Sequence, residues 1–403
     1  MQRIAGIDLA SEEHCLVVVD VDGIRLEQRR ISHSEDGLQL LVCRLLELEV
    51  ARVALERPNG LVVDRLLEAG IAVVPVHPNQ LAAARDRYRS GGGKSDGFDA
   101  YVLAELARTD MHRLRVLEPD RDETRALRAL TRARDDLVAT RVALANQLRA
   151  QLELFWPGAA RIFADIDSPI ALAFLERYPS PEDARLLGAK RLAAFLARNG
   201  YCGRRSSDGL LQRLRTAPAA RTGELEAEAR RQIVLGLVAA LRPIVEQIKL
   251  LTSQIRGAID AHPDGQIFRS LFRDPRSVVT AAELVAEIGD RRERYDTRAR
   301  LEARAGHCPV AIESGKKKVA SFRWACNKTL RDAVSVLADS SRKHNPWAQK
   351  IYADAIARGC NHPHAIRILG RAWLRVIWRL WHDRTPYDPN RHGSLNRLLA
   401  AQG

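Results

Sequence analysis

Four carboxylates carry the chemistry this chain suggests. Asp96 and Asp99 stand three residues apart at a helix start, after Gly91-Gly92-Gly93-Lys94-Ser95 and before apolar Tyr101, Val102, Leu103 and Leu106. At that spacing both carboxylates fall on one helix face. Side by side they repel, and such pairs are kept where a cation neutralises them. Taken alone, Ser95 and Asp96 read as an N-cap with an acidic first turn. Asp8 and Glu56, upstream, change that reading. Four oxygen ligands in one pocket suit a two-metal phosphoryl-transfer site, with Mg²⁺ ions (Mn²⁺ as the alternative) roughly 3.5–4 Å apart clamping the attacking and leaving oxygens. The glycines at 91–93 read as a hinge for the last two ligands.

Whether the four meet depends on the elements that carry them. Residues 3–9, 14–21 and 24–31 read as strands, with Asp22-Gly23 as a two-residue hairpin turn. Ser34 caps a helix whose stripe is Leu38, Leu41, Leu45 and Leu48. A strand at 52–56, a helix at 61–69, a strand at 71–76 and a helix at 81–89 follow. The order β-β-β-α-β-α-β-α, a hairpin first and crossovers afterwards, predicts a mixed sheet of ribonuclease H-like type. No GxGxxG follows the first strand, which weakens a Rossmann reading. Asp8 ends the first strand and Glu56 the fourth, and parallel neighbours bring those ends together at the edge where open α/β sheets bind ligands.

Composition sets the bounds. The chain has 403 residues, 46% of them hydrophobic, which excludes global disorder. No apolar run reaches the length of a membrane span, and no signal-peptide pattern opens the chain, so the expectation is a cytoplasmic protein without membrane contact. Six scattered cysteines without a CxxC pair fit free thiols in a reducing cytosol. Cys360, His362 and His364 are the tightest potential zinc cluster, but they lack a fourth ligand. Net charge is +14 and the pI about 9.9, with Arg far exceeding Lys, which points to a polyanionic partner such as nucleic acid.

Three parts are expected: residues 1–115, the catalytic α/β domain; 116–262, a helical coiled-coil region with an insert; and 263–403, a helical C-terminal domain. Two long helices, at 121–154 and about 222–259, are expected to pair as an antiparallel coiled coil or to dimerise with a second chain. The first carries Arg125, Arg128, Arg132, Arg134, Arg141 and Arg149, which read as candidates for phosphate contact or, each taken singly, as an ordinary solvated helix face. In the last part, amphipathic helices at 280–288 and 298–305 precede Glu313-Ser314-Gly315 and Lys316-Lys317-Lys318. Arg323, Lys328 and Arg331 read as further phosphate contacts. Most of Trp347, Tyr352, Trp373, Trp378 and Trp381 read as core.

Gly6-Ile7-Asp8-Leu9-Ala10, Leu55-Glu56-Arg57-Pro58-Asn59-Gly60 and Lys94-Ser95-Asp96-Gly97-Phe98-Asp99-Ala100 resemble the motifs of DEDD-type insertion-sequence transposases (the IS-one-ten and IS-eleven-eleven group), which are RuvC-like DNA recombinases. The likeness resumes at Ala286-Glu287-Ile288-Gly289-Asp290, at Ala305-Gly306 with Pro309, and at Glu313-Ser314-Gly315. It implies that Asp8, Glu56, Asp96 and Asp99 are the metal-binding acids and that Ser314 is the nucleophile that becomes joined to DNA. Lys94 and Lys316, Lys317 and Lys318 would then hold phosphate. It further implies element ends and target as DNA partners, a structured non-coding guide RNA, and a dimer or tetramer in which one subunit supplies the serine and another the acids. One stretch departs from the pattern: 271–277 lacks the family's Pro-Gly-x-Gly turn and offers Arg273 and Arg276 instead. A RuvC-like structure-specific nuclease without a covalent step is the competing enzyme reading. A non-catalytic nucleic-acid-binding remnant is the competing non-enzyme.

Overall fold

The computed structural model describes residues 3–88, 95–218, 222–314 and 317–401. The glycines at 91–93, Lys94 and Lys316 therefore lie outside the described residues, as do the side chains of Lys317 and Lys318. The chain divides into two compact units, Met1–Pro119 and Asp120–Gly403.

The first unit is a five-stranded sheet: β1 (Arg3–Asp8), β2 (Glu13–Val19), β3 (Arg25–Ser32), β4 (Val50–Leu55) and β5 (Ala72–Pro75), in the order β3-β2-β1-β4-β5. β2 runs antiparallel to β1, whereas β4 and β5 run parallel to it. The central strand is flanked by a hairpin on one side and crossovers on the other, which is the ribonuclease H-like arrangement. The hairpin loop is longer than the expected two residues. Pairing ends at Val19 and Arg25, and the Asp20 carboxylate accepts from the Asp22 and Ile24 amides at 3.0 and 2.8 Å. A side chain that satisfies two loop amides outweighs the two-residue turn signal.

Two layers of helix cover the sheet. Helices α1 (Glu35–Glu47) and α2 (Leu61–Glu68) bury Leu38, Leu41, Val62 and Leu66 against Ala5, Ile7, Val53 and Leu55. Ser34 caps α1, its hydroxyl accepting from the Gly37 amide at 3.1 Å. Helices α3 (Pro78–Tyr88) and α4 (Asp96–Thr109) cover the opposite face, where Ile4, Val17, Val19 and Ala54 pack against Leu81, Val102 and Leu103.

In the second unit, α5 (Asp122–Phe155) and α10 (Glu224–Ala261) are the two long helices. They pair antiparallel within the chain. Leu127 near the start of α5 meets Ile255 and Ile259 near the end of α10, while Leu148 and Leu152 share a cluster with Val234, Val238 and Leu241. Pro243 sits inside α10, and the helix continues through it. Between the two lie α6 (Pro157–Arg161), α7 (Pro169–Arg177), α8 (Ala189–Arg198) and α9 (Ser207–Arg215), which pack onto the second of those clusters.

The remainder is α11 (Gly265–Arg269), α12 (Val278–Ile288), α13 (Arg298–Arg304), a hairpin of β6 (Val310–Ser314) and β7 (Lys317–Ser321), then α14 (Lys328–Ser341), α15 (Pro346–Ala357), α16 (His362–Asp383) and α17 (Gly393–Ala400). Trp373 and Trp381 are fully buried there, their indole N–H groups donating to Ser341 and Asp264. All six cysteines are free thiols. Among the described residues no helix is long and apolar enough to cross a membrane.

Candidate active site

The period-2 alternation of a strand decides where the first two acids face. On β1, Ala5 and Ile7 enter the α1/α2 core while Ile4 enters the α3/α4 core. Gly6 and Asp8 share the parity of Ile4, so Asp8 belongs to the α4 side. On β4, Val53 and Leu55 enter one core and Ala54 the other, which puts Glu56, just past the strand, on the same side as Asp8. Parallel register pairs Gly6 with Ala54 and Ile7 with Leu55. Asp8 and Glu56 therefore follow side by side.

Gly6 brings α4 to them. A Cβ at this position would lie 2.0 Å from the Ala100 carbonyl oxygen and 2.5 Å from the Ala104 nitrogen, so only glycine lets α4 rest directly on β1. Ser95 is the N-cap of α4, its hydroxyl accepting from the Phe98 amide at 3.3 Å. The plainer reading of Ser95 as a cap is correct, and it coexists with the acidic pair. Asp96 and Asp99 fall in the first turn, where the helix dipole favours negative charge. They differ in depth: Asp96 is exposed and Asp99 buried.

Asp99 has a partner that sequence reasoning missed. Arg85 of α3 donates to both of its carboxylate oxygens, Nε to Oδ1 at 2.6 Å and Nη2 to Oδ2 at 2.7 Å. The hydrogen bond to Asp99 holds the Arg85 guanidinium above its ordinary pKa, and the charges of Asp99, Glu56 and Asp8 add to the effect. Cys15, opposite Asp8 on β2, tells the same story from the other side. Burial pushes its thiol up, and the charges of Asp96 and Asp8 push it further. All four acids thus act electrostatically on this one edge of the sheet, three of them on Arg85. The available signal was Arg85 one helical turn before Tyr88, on a helix leading into the acidic motif.

The donor chemistry at this edge suits a hard divalent cation: every candidate ligand is a carboxylate, and a guanidinium already stands in as the neutralising charge. Among the described residues, no three His, Cys, Asp or Glu side chains stand together as a metal cluster. His362, of the Cys360 cluster, instead lies 2.9 Å from the Tyr352 hydroxyl.

Ser314 is the last residue of β6, paired in register with Lys317. Sequence reading placed no strands here. Its exposed hydroxyl has no hydrogen-bond partner among the described residues, so no general base is held against it there. Of the expected phosphate contacts, Lys328 is exposed at the start of α14. Arg323 donates through Nε to the Cys308 carbonyl at 3.3 Å. Arg331 donates to the Arg323 carbonyl at 2.8 Å and stacks on Phe322. Arg276, in the glycine-free stretch, pairs with its neighbour Asp274.

Four of the arginines of α5 have partners within the second unit. Arg132 forms a two-pronged pair with Glu287 at 2.8 and 3.0 Å, Arg128 donates to the Ala286 carbonyl and Asp120, Arg134 donates to Thr252, and Arg141 pairs with Asp167. These four brace the second unit, their guanidinium groups held by partners within the chain. Buried carboxylates such as Glu287, 2% exposed, need a cation, and the nearest helix supplies it.

A mixed sheet in this strand order, with acidic side chains at the ends of β1 and β4, defines a ribonuclease H-like enzyme fold. Residues 5–157 match the DEDD transposase family of IS110, and residues 277–353 match the Transposase IS116/IS110/IS902 family. The chain is 30% identical to a protein named as candidate mini-circle transposase for IS117 of Streptomyces coelicolor, over 96% of this chain and 95% of that one. It is 29% identical to an uncharacterized 44.8 kDa protein of insertion element IS116 from Streptomyces clavuligerus, over 95% and 96%. T. thermophilus RuvC, solved in complex with Holliday junction substrate, is 18% identical over 29% of this chain and 100% of that one, with a TM-score of 0.24, a likeness too slight to add to the strand order. The chain belongs to the IS110 family of transposases.

Proposed function

We propose that this transposase cuts and rejoins DNA by serine attack on a phosphodiester, assisted by divalent metal and directed by a structured non-coding RNA. The observation that best supports the reading is the parallel register of β1 and β4, which leads Asp8 and Glu56 out of neighbouring strands on the α4 side, with Asp96 and Asp99 in the first turn of α4. Asp8, Glu56, Asp96 and Asp99 would hold Mg²⁺ or Mn²⁺. A cation bound there supplies charge neutralisation and Lewis-acid polarisation of the scissile phosphate. Ser314 Oγ attacks phosphorus, the bond to the 3′-oxygen breaks, and the serine proton leaves on that oxygen as a 3′-hydroxyl. The phosphoserine ester keeps the energy of the phosphodiester, so a 3′-hydroxyl from another strand reverses the step and completes the exchange.

Two features support this division of labour. The Ser314 hydroxyl is open to a large substrate, and the lysines at 316–318 follow it in sequence, suited to holding phosphate. Among the described residues no base is bonded to the Ser314 hydroxyl, so its activation is assigned to the acidic edge, with a homo-oligomer (dimer or tetramer) as the working form. The charge of +14 suits both DNA and RNA partners.

The test is Ser314→Ala beside Asp8→Asn on DNA carrying the element ends. S314A is expected to bind DNA but to lose both strand exchange and the covalent protein–DNA adduct. Continued cutting by S314A would replace this reading with a hydrolytic nuclease. Unchanged behaviour of D8N would leave a non-catalytic binding protein.

A further inference from the structure

Beside the β6/β7 hairpin, a cavity of about 560 Å³ is lined by Phe322, Arg323, His364, Arg367, Arg371 and Arg375, among others. The last three arginines recur every four residues along α16, about 6 Å apart along the helix axis. That step is of the order of the distance between consecutive phosphates of one nucleotide chain, so neighbouring arginines can take neighbouring phosphates of a backbone tracked along the helix. The charge is largely uncompensated. Arg371 and Arg375 share one carboxylate, Glu302, each through its Nε. Arg323 and Arg367 have no ion pair among the described residues.

The aromatic side of the site is equally specific. Two guanidinium groups lie over the Phe322 ring, those of Arg331 at 4.7 Å and Arg367 at 5.0 Å from its centre. Two like charges on one ring repel, and the Nε of Arg331 is buried without a partner. An anion relieves that repulsion. Trp324 meets Phe322 edge-on at 4.8 Å and is 77% exposed, a flat indole left in water beside a cationic groove. Cationic grooves with an open aromatic platform bind single strands: phosphates follow the charge and bases stack on the ring.

The geometry points to a binding site for an extended, single-stranded nucleic-acid segment between the β6/β7 hairpin and α16, with a base stacked on Trp324 and phosphates on Arg367, Arg371 and Arg375. This inference rests on the recombinase reading above and gives it a strand-holding groove in the second unit. A DNA strand and an RNA segment offer the same chemistry, and separate probes distinguish them.

The full-length protein is titrated with fluorescein-labelled oligo-dT, oligo-U of equal length, and a duplex, reading anisotropy at several salt concentrations. Trp324→Ala is expected to weaken single-strand binding about tenfold with the salt slope unchanged. Arg367→Gln should weaken it and lower the salt slope by about one. A loss confined to oligo-dT identifies a DNA occupant, and one confined to oligo-U an RNA occupant. Either supports the site. Wild-type affinity in both variants overturns it, as does an equal loss on duplex. If the wild-type chain binds none of the three probes, the recombinase reading itself has failed, an outcome distinct from variants that bind normally.

Discussion

Replacing Arg85 with alanine removes the only partner that the buried Asp99 carboxylate has among the described residues. Asp99 is 2% exposed and Arg85 26%, and the two-pronged geometry is near ideal. Breaking a buried pair by deleting one partner typically costs 3–5 kcal/mol, because the remaining charge stays desolvated. The partial exposure of Arg85 favours the lower end, about 3 kcal/mol. At roughly 3–4 °C per kcal/mol, melting of the first unit should fall by about 10 °C in metal-free buffer. The same vacancy becomes an advantage to a divalent cation. If Asp99 is a ligand, Mg²⁺ no longer competes with a guanidinium, and at one hundred times its Kd it returns about 2.7 kcal/mol. The assay is thermal melting of full-length wild type, R85A and R85A/D99N with and without Mg²⁺. R85A should gain far more from Mg²⁺ than wild type, and the double variant should lose that gain. An R85A protein as stable as wild type would refute the ion-pair reasoning. A Mg²⁺ gain equal to that of wild type would remove Asp99 from the ligand set.

Two further predictions concern placement and pH. Gly6→Ala drives a Cβ into the Ala100 carbonyl, so it should destabilise the chain by roughly 3 kcal/mol, measured by urea denaturation, while Ala5→Gly, which leaves the α4 contact untouched, should cost clearly less in the same assay. Glu283 of α12 has its pKa pushed up to about 8 by burial, with Asp135 adding to the effect, Arg134 opposing it, and Asp332 and Glu287 adding to it. Its folded form therefore binds a proton that the unfolded form has lost, between its ordinary value near 4.5 and about 8. Stability should fall as pH rises through that window. Glu283→Gln should abolish this slope and stabilise the protein at pH 8 by on the order of 2 kcal/mol, read from denaturation midpoints at pH 5 and pH 8.

Much of the site was legible because it is written in local patterns. Alternating strands, the Ser34 and Ser95 caps and the crossover order fix a ribonuclease H-like sheet, and parity along β1 and β4 is enough to send Asp8 and Glu56 to one edge. The long helices declared themselves through leucine spacing. What stayed hidden depends on partners distant in the chain. No periodicity distinguishes Arg132, locked to Glu287, from an arginine facing phosphate, and none separates the depth of Asp99 from that of Asp96.

The sequence by itself therefore offered the four candidate acids, the strands that lead to the first two of them and the serine they are proposed to serve. The acidic pair at 96 and 99, ambiguous as a capped helix start, became part of a shared edge as soon as the strand order was known. Tertiary structure alone decided how that edge is neutralised: Arg85 reaches Asp99 because Gly6 lets α4 lie against β1 beside α3. It alone assembled the groove of Phe322, Trp324 and the α16 arginines. The physical reason is the same in both cases. Pattern reports which face a side chain takes, whereas charge compensation depends on which other element is packed within hydrogen-bond reach of it.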